Sequence, residues 1–174
     1  MMKPSTSEFI NAITDDEIRR FQILVMAFIT GITLCGAVIL YLSKVTTPTG
    51  KENPVLFTMT AVTFFSAMTM FPLALSSSFF ARILRGAKKD APENSLDAHG
   101  YLLKIQSAVI VRIAFFEAPA MIGLCTCFIG VFSGMMREYP VLLINVAVPA
   151  LALAGMATMI PNRDKLKKWY ELIL

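Results

Sequence analysis

The chain of 174 residues is 56% hydrophobic and only 16% charged, where a soluble globular chain carries roughly a quarter charged residues. With a mean hydropathy of +0.64, this excludes an ordinary water-soluble domain and points to the membrane class. The net charge of +4 follows the short segments between apolar runs, as topology determinants and headgroup contacts do, so a nucleic-acid surface is not expected.

Residues 1–20 are polar and include Glu8, Asp15, Asp16 and Glu17. They lack the basic, then apolar, then small-residue order of a cleavable signal, so the first apolar run is expected to stay as an anchor. Ser5-Thr6-Ser7-Glu8 has the capping-box pattern ahead of Phe9, Ile10 and Ile13, which predicts a short interfacial helix. Thr14-Asp15-Asp16-Glu17 repeats the pattern, with Thr14 as N-cap, and predicts a first membrane helix over residues 21–43.

Two prolines and a glycine in residues 46–54 predict an outer turn, and a second membrane helix follows over 55–80 with Pro72 kinking its later half. Residues 82–100 read as the one substantial loop, carrying Arg82, Arg85, Lys88 and Lys89, then Asp90, Pro92, Glu93 and Asp97. The longest helix is expected over 101–134, a tight outer turn at 138–140, and a fourth helix with Pro149 over 141–160. Residues 163–174 predict an amphipathic tail helix, where Trp169 and Tyr170 beside Lys167 and Lys168 form an interfacial anchor.

Each apolar run reaches the roughly 20 residues needed to cross a ~30 Å hydrocarbon core. Twelve basic residues fall on one side: Lys3, Arg19, Arg20, Arg82, Arg85, Lys88, Lys89, Lys104, Arg163, Lys165, Lys167 and Lys168. Only three, Lys44, Lys51 and Arg137, fall on the other. The positive-inside rule then puts both ends on the cytoplasmic side of the inner membrane. The expected fold is all-α, a single integral-membrane four-helix bundle with short interfacial helices at both ends. No long internal repeat or inverted repeat is visible.

Arg112 and Glu117 are the charged residues inside the third apolar run. Glu117 lies 13 residues past Lys104 and 20 before Arg137, which places it near the bilayer midplane. An ionised carboxylate there costs several kcal/mol, so it must be protonated, paired or turned to a polar cavity. Five residues set Arg112 and Glu117 about 140° apart around the helix, off the i, i+4 spacing. A direct bridge within the helix is therefore not expected, and one between subunits or to another helix stays open. Candidate partners are Arg112, Thr63 and Ser66 (on a hydroxyl-bearing side with Thr60 and Thr69) and Asn145. The hydroxyls have an equally simple use, donating to their own backbone carbonyls.

The run Glu117-Ala118-Pro119-Ala120-Met121-Ile122-Gly123-Leu124 resembles the ion-carrying helix of rotary ATPase proteolipids (subunit c). The resemblance implies a proton or sodium ion bound at Glu117, with Ala120, Gly123, Cys127, Gly130 and Gly134 as small residues for close helix packing. It covers eight residues, and the glycine-rich repeat of the family's preceding helix is absent, since Gly31 and Gly36 are the only glycines of the first helix and the second has none.

Other chemistries find no footing. His99 is the single histidine and is expected to be solvated in the inner loop. No catalytic triad, Walker loop or metal-ligand spacing occurs. Cys35, Cys125 and Cys127 have no C-x-x-C spacing and are expected to be buried and reduced. The expectation is therefore a non-enzymatic membrane subunit without cofactor or metal, embedded in lipid and joined to copies of itself or to a larger complex. Two readings of Glu117 stay open: an ion site, or a permanently protonated carboxyl that, with Arg112, fixes helix packing.

Overall fold

The structure is a computed structural model that describes residues 4–45, 53–86 and 97–173. The described residues are helical throughout: α1 (Thr6–Ala12), α2 (Asp15–Val45), α3 (Val55–Leu75), α4 (Ser77–Gly86), α5 (Ala98–Ser133), α6 (Met135–Glu138), a 3₁₀ turn (Pro140–Leu143), α7 (Ile144–Ala157) and α8 (Arg163–Glu171). The outer turn expected at 46–54 and the charged loop centred on Lys88, Lys89, Asp90, Pro92 and Glu93 fall mostly outside the described residues.

Local chemistry explains the helix starts. At α1, the Ser5 hydroxyl accepts from the Glu8 amide while the Glu8 carboxylate accepts from the Ser5 amide. Thr14 and Glu17 do the same at α2, at 3.3 and 2.9 Å, and Asp15, Asp16 and Glu17 put negative charge at the positive end of the helix dipole. Asp97 caps α5 through the Gly100 amide, and Gly134, at φ 79°, closes it in the left-handed region where glycine carries no Cβ penalty.

Three helices, α2, α3 and α5, are long and apolar enough to cross a membrane, and α7 is a shorter apolar helix. At 1.5 Å per residue, α2 is about 46 Å long, α3 about 32 Å and α5 about 54 Å. The fourth apolar run is not one α-helix over 141–160. Pro140 opens it with a 3₁₀ turn, and α7 contributes 14 residues.

The second run also breaks earlier than its hydropathy implies. It stops at Leu75, past Pro72, where Ser76 turns extended and its hydroxyl caps α4 through the Phe79 amide at 3.2 Å.

α5 is the central helix, in contact with α2, α3 and α7. In its most apolar stretch 44% of residues are buried, against 22% for α3 and 11% for α2. Side chains such as Leu34, Leu40, Phe65, Met68 and Leu151 are left exposed around the bundle.

One end of the bundle carries a closed cap. Phe9 of α1 stacks on Tyr170 of α8 with ring centroids 4.1 Å apart, and the Tyr170 hydroxyl donates to the Pro4 carbonyl at 2.7 Å. Tyr101 meets Tyr170 edge-on, and Trp169 packs between Phe21 and Phe80. Arg163 reaches Asp15 at 2.7 Å, though both are exposed and such a pair adds little. Phe9, Ile13, Trp169 and Tyr170 are thus buried against protein, whereas their amphipathic pattern alone reads as a membrane-surface anchor. The described ends of the chain, the starts of α2 and α5 and the end of α7 all lie at this end.

Candidate functional site

Glu117 sits mid-way along α5, half-buried. It lies on the border of two faces: Ile113, Ala120 and Leu124 on one side are buried, and Ala114 and Met121 on the other are exposed. Leu124, two turns further on the same helix face, lies 4.0 Å from where a Cβ on Gly36 would stand, so this border follows the seam between α5 and α2. Among the described residues Glu117 makes no hydrogen bond and no ion pair.

None of the residues expected around the carboxylate is bonded to it. Arg112 turns instead to the break after α3, where its Nε donates to the Ala74 carbonyl at 2.6 Å and its guanidinium lies 4.6 Å over the Phe80 ring. It thus satisfies one of the last carbonyls of α3, which no turn of helix follows to cover. Thr63 donates to Met59 and Ser66 to Thr63, and Thr60 and Thr69 likewise bond carbonyls three or four residues back. These are the backbone bonds expected of hydroxyls in apolar helices.

Asn145 belongs to a separate cluster toward the far end of the bundle. It is 1% exposed, and its Nδ2 donates to Thr60 Oγ1 at 2.8 Å and to the Leu142 carbonyl at 2.9 Å. Because the Thr60 proton is given to Leu56, the amide must present its nitrogen there, which leaves Oδ1 buried with no partner. Sequence could identify Asn145 as the only amide of the run, but not that Thr60 on α3 would face it.

The small residues of α5 are used inside the chain. A Cβ on Gly123 would stand 2.9 Å from the Asn145 backbone oxygen and 3.2 Å from Thr63 Cγ2, so α5 meets α7 and α3 closely at this point. Ala120, Cys127 and Gly130 are buried as well, while Gly134 serves as the C-cap of α5. Of the cysteines only Cys127 is buried. Cys35 and Cys125 are exposed among apolar side chains, a location their polarity permits.

His99 is not a loop residue. It lies in the first turn of α5, where its Nδ1 meets Glu17 Oε1 at 2.7 Å. That contact joins the starts of α2 and α5. The Glu17 carboxyl is held below its ordinary range, chiefly by the Thr14 amide, which outweighs the opposing effect of burial, with the Thr14 hydroxyl and His99 adding to the lowering.

Among the described residues no group of His, Cys, Asp and Glu is placed to hold a metal. Comparison of the chain with protein-family models, curated proteins and solved structures gives no match.

Proposed function

We propose that the chain is a small multi-pass subunit of the cell (inner) membrane whose intramembrane carboxylate, Glu117, binds a proton or cation. The observation that carries this reading is a half-buried carboxylate in the middle of the central apolar helix without any hydrogen-bond or ion-pair partner among the described residues. Such a group in hydrocarbon is either protonated or partnered from outside the chain. Its place at the edge of the α2–α5 seam gives both a proton and a neighbouring subunit access to it. The likeness of residues 117–124 to the proteolipid carboxylate helix favours the same chemistry.

In this reading α2, α3, α5 and α7 all cross the bilayer. The 3₁₀ turn adds about 8 Å to the ~21 Å of α7, which brings the fourth crossing close to a ~30 Å core. The capped end carries the excess of Lys and Arg and faces the cytoplasm. The described soluble segments hold no catalytic constellation, so energy coupling would come from copies of the chain or from other subunits.

The alternative is a non-transporting assembly protein, and the Arg112–Ala74 bond favours it, because it spends one of the two intramembrane charges on helix packing. Carbodiimide labelling of the purified chain in detergent, across pH and with and without sodium, separates the two. The ion-site reading expects fast modification of Glu117 that falls as pH rises or sodium is added. A Glu117 that stays unreactive from acid to alkaline pH leaves the assembly reading and refutes ion binding.

A further inference from the structure

The first turns of α2 and α5 run side by side in the same direction and enclose an open groove of about 490 Å³, a volume within the range of ligand pockets. Its lining changes character along its length. Glu17, Arg20 and His99 stand at the mouth, Phe21, Leu24 and Leu103 line the stretch one turn deeper, and Gln106 lies beyond. A charged mouth continuing into an apolar channel between two membrane helices matches an amphiphile lying along the bundle.

Charge decides which amphiphile. Glu17 is already spent: Oε2 takes the Thr14 amide and hydroxyl at 2.9 and 3.0 Å, and Oε1 meets His99 at 2.7 Å. Arg20 is exposed and has no hydrogen-bond or ion-pair partner among the described residues. The donors left open at the mouth are those of the Arg20 guanidinium, which suit the oxygens of a phosphate at the level where the bundle meets headgroups.

We propose that this groove seats one anionic phospholipid of the surrounding leaflet, its phosphate at Arg20 and one acyl chain along Phe21, Leu24 and Leu103. The proposal rests on the membrane-embedded reading and not on Glu117, whose labelling can fail without affecting it.

The test is native mass spectrometry of the full chain in mild detergent with equimolar phosphatidylglycerol and phosphatidylcholine. One retained phosphatidylglycerol per chain is expected. Arg20→Gln should lower that retention roughly fivefold to tenfold, and Leu103→Trp should lower it by filling the channel. Arg19→Gln, one position earlier and outside the groove, should leave it unchanged, and millimolar glycerol 3-phosphate should displace nothing.

Equal retention of phosphatidylcholine by the unmodified chain overturns the proposal without relying on any variant. So does an equal loss from Arg19→Gln and Arg20→Gln, which would mean diffuse surface charge. Displacement by glycerol 3-phosphate would mean a site for free phosphate esters and would overturn it too.

Discussion

Adding one methyl group at different glycines should stabilise the bundle or destabilise it, depending on what that methyl meets. At Gly123 it would stand 2.9 Å from the Asn145 carbonyl oxygen, 3.2 Å from Thr63 Cγ2 and 3.5 Å from Pro149 Cδ. A backbone oxygen inside a helix cannot swing aside, so α7 must move away from α5. Overpacking of this kind costs about 1–3 kcal/mol, while replacing glycine by alanine in a helix returns at most about 1 kcal/mol. With the full helix return, Gly123→Ala should therefore still lose up to about 2 kcal/mol. At Gly31 nothing lies within 4 Å, so the helix term acts alone and Gly31→Ala should gain up to ~1 kcal/mol. Gly155→Ala would drive its methyl into the buried Phe116 ring and should lose stability too, with partial recovery when Phe116→Leu is added. Unfolding in mixed micelles by rising dodecyl sulfate, followed by circular dichroism, ranks the variants. If Gly123→Ala and Gly31→Ala move the midpoint equally and in one direction, α5 and α7 are not in the close contact described, and the reasoning fails.

The Asn145–Thr60 contact should show as a coupling of about 0.6–2 kcal/mol in a double-mutant cycle of Asn145→Leu and Thr60→Val. Single effects that add within about 0.3 kcal/mol would remove that bond from the forces joining α3 and α7. The capped end should weaken in acid. Glu17 and Glu8 both have carboxyls held below the ordinary glutamate range, each chiefly by an N-cap backbone amide. A depressed carboxyl contributes stability that is complete above the unfolded-state value and is lost as pH falls through the folded one. Unfolding midpoints measured downward from pH 6 should fall below about pH 4.5, and the double variant Glu8→Gln/Glu17→Gln should flatten that fall. An unchanged acid limb in the double variant would show that other groups govern it.

The features legible in the sequence are those whose partners lie within four residues. Ser5 with Glu8 and Thr14 with Glu17 cap their helices as the four-residue pattern implies, and Thr60, Thr63, Ser66 and Thr69 bond backward along α3. The break at Ser76 was not legible, because a proline inside an apolar run reads as a kink. What stops the helix is a serine cap onto α4, with a carbonyl satisfied by Arg112 from 38 residues away. His99 reads as loop in the sequence because the apolar pattern of α5 starts at Tyr101, although Asp97 supplies an N-cap signal for an earlier start. Its partner Glu17 lies 82 residues back and leaves no local trace. The amphipathic tail forms a helix over Arg163–Glu171, but its periodicity cannot distinguish a face turned to lipid from one turned to α1.

The two charges inside the apolar stretch of α5 follow from the same accounting of polar groups. Arg112 has a long side chain and five donors, so it can reach past its own helix to an open carbonyl at the break after α3. Glu117 has a short acceptor-only side chain when ionised, and every backbone amide near it on α5 is already used within the helix, except at Pro119, which has none. The hydroxyls of α3 have given their protons to their own turns. An ionised Glu117 therefore finds no donor in the described chain, and the i, i+5 offset keeps Arg112 from supplying one. Protonation, a bound cation or a donor from another subunit are the ways left to meet that need. A Glu117 that stays unreactive at every pH is then either held protonated for helix packing or paired with a donor from another subunit.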